Sequence, residues 1–177
     1  MKGRVFCLFL LAVIAALFSF AVVYAEDMHV YPAEIGYYYD CEGEFEIGYV
    51  YRPIMTKASS NMLAKGEFIM VRVRIKNESG YTMNGFSRDS FYLAQNTGKK
   101  EIVFPLDWNS SMKTSKIWDM RRLDRQLGTF EELDTWLVFD VNGNWNDPWY
   151  LIFKPMDDYN REPLCTLRLS LPKIDRK

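Results

Sequence analysis

The chain has 177 residues, with 22 Lys and Arg against 23 Asp and Glu, a formal charge of −1 and a mean hydropathy of −0.20. With no basic excess, a nucleic-acid partner or attachment to an anionic membrane surface is not indicated. The length suits one domain with a substantial core.

The chain opens as an export signal would. Lys2 and Arg4 precede an almost unbroken apolar run from Val5 to Val23, interrupted by Ser19. Val23-Tyr24-Ala25 then places small residues where a signal peptidase reads, just before Glu26-Asp27. This predicts a signal peptide over 1–25 and a mature domain over 26–177, secreted or otherwise extracytoplasmic. The run is long, and about 18 apolar residues can span a bilayer, so an uncleaved anchor is the rival reading; with cleavage there is no stable membrane insertion. A lipid anchor would need Cys at the cleavage point, where Glu26 stands.

The mature part holds 152 residues, 20 basic and 23 acidic side chains and five Trp. Period-two alternation dominates it and predicts an all-β domain. Phe45, Ile47, Tyr49 and Tyr51 share one face, as do Ile69, Val71, Val73 and Ile75 within Glu67–Asn77, with Arg72, Arg74 and Lys76 opposite on a solvated face. Phe91–Ala94, Glu101–Phe104, Leu137–Val141, Trp149–Phe153 and Leu167–Leu171 read as further strands. Asn77-Glu78-Ser79-Gly80, Asn96-Thr97-Gly98 and Asn142-Gly143-Asn144 supply turns. Such strands and turns predict an antiparallel β-sandwich of immunoglobulin-like type. One segment departs from this period. Ile117, Met120, Leu123 and Leu127 recur at spacings of three and four between Ser115 and Gly128, which predicts a short amphipathic helix over 115–127. Thr129 with Glu132 reads as a second capping box opening one more helical turn.

Two cysteines remain after the leader, Cys41 and Cys165. Their spacing fits no zinc or redox motif. In an oxidising compartment they read as a disulfide, the alternative being two buried thiols. Cys165 shares the parity of Leu167, Leu169 and Leu171, and Cys41 that of Phe45, so both sulfurs are expected to face the core.

Phe68, Val71, Val73 and Ile75 leading into Asn77 and Ser79, then Leu137-Val138-Phe139-Asp140-Val141 after the Leu127-Gly128 step, and Tyr150-Leu151-Ile152-Phe153 resemble strand motifs of a family of secreted or lipid-anchored bacterial immunoglobulin-like domains. The family's function is not assigned, and its fold is similar to a mycobacterial secreted antigen sandwich. The resemblance covers about residues 45–155 and implies a fold and a location, not a mechanism. Leu127-Gly128 lacks the Pro that often precedes Gly in that family's loop.

No catalytic set emerges, and no metal or other cofactor is implied. His29, the sole histidine, lies close to the predicted mature end. Asp140, Asn142 and Asn144 match the first three oxygen spacings of a calcium loop, but Trp145 occupies the glycine position and Leu151 the bidentate acid. Asp157-Asp158 and Glu131-Glu132 are adjacent in sequence, not opposed across a cleft as glycosidase chemistry needs. Arg121, Arg122 and Arg125 are interleaved with Asp119 and Asp124, as on a helix surface. Tyr37-Tyr38-Tyr39 cannot all face inward in a strand. Tyr38, with Trp145 and Trp149, is the candidate aromatic rim for stacking on a sugar or anchoring a protein. The reading is a non-enzymatic binding module of the envelope or extracellular space with an unknown protein or glycan partner. The alternatives are a carboxylate-dependent glycan hydrolase and an exported protease inhibitor presenting the 105–116 connection.

Overall fold

The computed structural model describes residues 30–176 except 33, 60–61, 143–146 and 158–161. The predicted signal segment and Trp145 lie outside the described residues. Two sheets face each other. In the first, β1 (Val30–Tyr31), β10 (Leu167–Ser170), β9 (Trp149–Phe153), β6 (Phe91–Asn96) and β7 (Glu101–Pro105) lie side by side in that order. The second holds β11 (Asp175–Arg176), β4 (Ile54–Ser59), β5 (Met62–Asn77), β3 (Phe45–Tyr49) and β2 (Tyr38–Cys41), with β8 (Glu132–Val141) also paired to β5. All pairings are antiparallel except β1–β10 and β11–β4. The fold is the expected immunoglobulin-like β-sandwich.

Strand β5 organises the second sheet. Its Glu67–Lys76 stretch pairs with β8, while its other edge takes β4 and then β3 in succession. The alternation supplies the inner face: Ile69, Val71, Val73 and Ile75 are fully buried, as are Phe45 and Ile47. Between the sheets Phe45, Phe86, Phe91 and Phe153 pack with ring centroids 5.4–5.8 Å apart, mostly edge to face, the geometry the ring quadrupole favours. Gly85 allows this: at φ +101°, a Cβ there would sit 2.7 Å from the Asp124 carbonyl carbon. Tyr51 leaves the predicted inward face. It falls beyond β3 and its ring lies outside, 5.0 Å from the Arg72 guanidinium.

The disulfide joins the sheets. Cys41 ends β2 of the second sheet, Cys165 precedes β10 of the first, and their Cα atoms are 5.7 Å apart. Both are buried.

The helix lies elsewhere than the periodicity indicated. α1 spans Trp108–Ile117, capped by the Asp107 carboxylate, which accepts from the Ser110 amide at 3.0 Å; residues 118–126 run through turns and irregular chain to a bridge between Leu127 and Met83. Thr129 opens a turn, not a helix. The reason is that α1 buries hydroxyls rather than an apolar stripe: Ser110, Ser111, Thr114 and Ser115 face inward. They close the free edge of β8. The Asp107 amide donates to the Val138 carbonyl at 2.8 Å, and the Val138 amide donates to Ser111 Oγ at 2.9 Å. Ser115 Oγ and Thr135 Oγ1 are 3.0 Å apart. An exposed strand edge invites pairing with other chains, and this helix removes that edge. Ser111→Ala leaves the buried Val138 amide without an acceptor. It is expected to lower unfolding free energy by about 1–3 kcal/mol and to speed hydrogen exchange at Val138, readable by urea titration and by NMR. The 105–116 connection is therefore mostly helix, which removes the long loop of the inhibitor reading.

Candidate binding face

The outer face of the second sheet places Tyr38, Gly48, Arg74 and Asp134 in one row, and Asp40, Glu46, Lys76 and Glu132 in the next, by register across β2, β3, β5 and β8. One end of this face is apolar rather than solvated: Phe68, Met70, Trp136 and Val138 form a second buried cluster, with Ile54, Met62, Ala64 and Met120 packed against it. The expected basic face is neutralised by β8. Arg72 grips Asp134 with Nε to Oδ1 at 2.8 Å and Nη2 to Oδ2 at 2.9 Å. Arg74 Nε donates to Asp134 Oδ2 at 3.3 Å and stands 3.6 Å from Glu132 Oε1. The Tyr38 hydroxyl donates to Glu132 Oε2 at 2.8 Å. Lys76 pairs with Glu78.

These contacts tune the groups. Partial burial, then the hydrogen bond to Glu132, raises the Tyr38 phenol above its ordinary range. The Tyr38 hydroxyl and then Asp134 push the Arg74 guanidinium up, and Asp134 does the same for Arg72. The face is thus a fixed array of donors and acceptors at neutral pH.

Gly48 lets the Tyr37 backbone close in on this face. It stands between Tyr38 and Arg74, and a Cβ there would collide with the Tyr37 carbonyl. A notch of about 120 Å³ beside it is lined by Gly36, Tyr37, Tyr38, Gly48, Tyr49, Val50 and Arg74. Tyr37 is 62%, Tyr51 53% and Tyr38 38% exposed. Sequence reasoning found Tyr38 but missed its partners. A glycine inside a strand signals close backbone approach, yet only the register shows that Arg74, Glu132 and Asp134 meet beside it.

Trp149 does not join this face. It points inward from β9 of the first sheet, 6% exposed, with Phe104 at a 5.5 Å centroid distance. Its position at an inward phase of β9 accounts for that, and it is a core residue rather than a rim residue. The calcium-like spacing at Asp140 also has a structural purpose: its carboxylate accepts from the Lys65 and Gly66 amides at 2.8 and 3.0 Å. Among the described residues no three His, Cys, Asp or Glu side chains cluster as metal ligands, and no helix is long and apolar enough to cross a membrane. His29, Asn144 and Asp158 lie outside the described residues. The sequence contains two Asn-x-Ser sequons, at Asn77 and Asn109; Asn77 is fully buried and Asn109 is exposed on α1.

No protein-family model matches the chain, and no curated protein sequence does. Solved structures do. A candidate lipoprotein from Bacillus subtilis aligns with a TM-score of 0.51 and 12% identity over 75% of this chain; the chain spans only 37% of that protein's length. A candidate lipoprotein from Staphylococcus aureus aligns at 0.50, also 12% identical, over 76% of this chain and 89% of its own. A secreted protein from Mycobacterium tuberculosis reaches 0.46 at 12% identity over 82% and 98%. At such identity the first two support the β-sandwich fold alone, and the third, below 0.5, adds nothing to that.

Proposed function

We propose that the chain is an exported, non-enzymatic binding module of the cell envelope or extracellular space, and that the Tyr38 face is its contact surface. The observation that carries this reading is the Gly48 notch, concave and walled by exposed tyrosines beside a rigid array of arginines and carboxylates. Aromatic faces stack on sugar rings or anchor protein partners, and the fixed polar groups would select hydroxyls or amides. The leader-like start, the inter-sheet disulfide and the lipoprotein descriptions of the two aligned proteins support an extracytoplasmic setting. Glu132 and Asp134 are both engaged by arginines, so the hydrolase alternative draws no support from this face.

The test is saturable binding of the chain to a panel of envelope glycan fragments and envelope proteins. Tyr38→Ala and Arg74→Gln are expected to weaken the bound member at least about tenfold, near 1.4 kcal/mol, with the thermal midpoint held. Equal binding by the wild type and both variants would remove this face from the function.

A further inference from the structure

Folding alone does not account for Phe130. It occupies the third position of the Gly128–Glu131 turn with φ +61°, left-handed backbone that suits glycine and disfavours bulky side chains. The surroundings enforce that conformation. The Phe130 amide donates to the Asn77 carbonyl at 2.7 Å, the Glu131 amide to the Gly128 carbonyl at 3.0 Å, and the Gly128 amide to the Glu131 carboxylate at 2.8 Å. That last bond, then Arg121, lowers the Glu131 carboxyl below its ordinary range. Yet the Phe130 ring is 67% exposed. The strained backbone therefore gains little burial in return, and glycine would serve the turn better. Strain of this kind points to function when the surrounding structure over-determines it.

Beside the turn lie three arginines, two of them paired with carboxylates. Arg121 reaches the Glu131 carboxylate and the Glu132 carbonyl at 3.4 Å. With Met120, Arg122, Asp124 and Arg125 it lines an open hollow of about 440 Å³. Arg122 is held by Asp124 at 2.5 Å, while Arg125 forms no ion pair among the described residues. The Arg121–Glu131 pair is exposed, and such pairs exchange readily for a ligand anion.

We infer that Phe130 and the arginine hollow form a contact site for an anionic glycan chain. The ring stacks on the apolar face of a sugar, and Arg121 and Arg125 take its carboxylate or phosphate through forked, charge-assisted hydrogen bonds. The open form of the hollow suits a chain lying across it. This goes beyond the Tyr38 reading and does not depend on it, although both sites border Glu132.

The test is calorimetric titration of the full chain with polygalacturonate at low salt, with poly-L-glutamate as a polyanion lacking sugar rings. Phe130→Gly is expected to raise the thermal midpoint and weaken polygalacturonate binding at least tenfold, while Phe130→Tyr keeps binding. Arg121→Gln with Arg125→Gln should weaken binding and flatten its salt dependence. The proposal is overturned by absence of saturable binding, by poly-L-glutamate binding as tightly as polygalacturonate, by unchanged binding in Phe130→Gly, or by a lower midpoint in that variant. The Tyr38 and Arg74 variants read the other site, so the two proposals fail separately.

Discussion

Reduction of the Cys41–Cys165 bridge should remove about 5 kcal/mol of stability, the largest loss any single covalent change offers here. The bridge closes a loop with a sequence separation of 124, and in the chain-entropy model a loop of that size restricts the unfolded ensemble by about 5 kcal/mol. Domains of this size have about 5–15 kcal/mol in total, so the reduced chain would retain a small margin. The bridge also joins β2 of one sheet to the approach of β10 in the other, so its loss lets these two distant segments separate in the unfolded state. That sets a second signature. Because the effect acts on the unfolded chain, reduction should also raise the denaturant m-value, since a more open ensemble exposes more surface. Urea titration with and without dithiothreitol measures both, and a Cys41→Ala/Cys165→Ala variant repeats it without reductant. Alanine avoids placing new hydroxyls at positions 1% and 3% exposed. Coincident unfolding curves would show that the bridge contributes nothing.

That bridge was legible in the sequence, because parity put both cysteines on inward phases and the predicted export signal carried the expectation of an oxidising compartment. The strands of the core were legible for the same reason: one face of each had to be apolar, and Ile69–Ile75 and Leu167–Leu171 state this at every second residue. The helix was not. Ile117, Met120, Leu123 and Leu127 recur at helical spacing, but Leu123 is buried from a turn and Leu127 from a bridge to Met83, Ile117 is exposed, and the helical face that is buried consists of hydroxyls. A helix that closes a strand edge through hydrogen bonds leaves no hydrophobic stripe to read. The candidate face was hidden for a different reason. Tyr38, Gly48, Arg74 and Glu132 lie on four strands, and their meeting depends on register, which alternation constrains only to within a shift of two residues. Trp149 shows the reverse error. Aromatic character suggested a rim, whereas its inward phase, shared with Leu151 and Phe153, places it in the core.

Asn77→Ala is expected to cost about 3–4 kcal/mol although the residue packs no apolar surface of note. Asn77 is fully buried at the end of β5, and its side chain joins three segments of chain. Nδ2 donates to the carbonyls of Tyr81, Leu127 and Gly128 at 2.9, 3.1 and 3.2 Å. Oδ1 accepts from the Ser79 amide at 3.0 Å and from Ser79 Oγ at 2.5 Å. Its backbone amide donates to the Glu131 carbonyl at 3.0 Å, and its carbonyl accepts the Phe130 amide. Truncation strands several of these partners away from water, each at a penalty of about 1–3 kcal/mol before relaxation. Replacement by Leu restores volume but no bonds, so it should be no better. Asn77→Asp separates the electrostatic part from the steric. An ionised carboxylate would face three carbonyl oxygens in a buried site, which holds its folded pKa above the unfolded value. Its penalty is therefore largest at neutral pH and shrinks as pH falls through that raised pKa, where the protonated acid regains one donor. Urea titrations of the wild type, Asn77→Ala and Asn77→Asp between pH 4 and 8, an interval bracketing the ordinary carboxylate pKa of about 4 and neutrality, measure both terms. A loss below about 1 kcal/mol in Asn77→Ala, or a pH-independent difference in Asn77→Asp, would show that the 79–81 and 127–131 segments are held by something other than this amide.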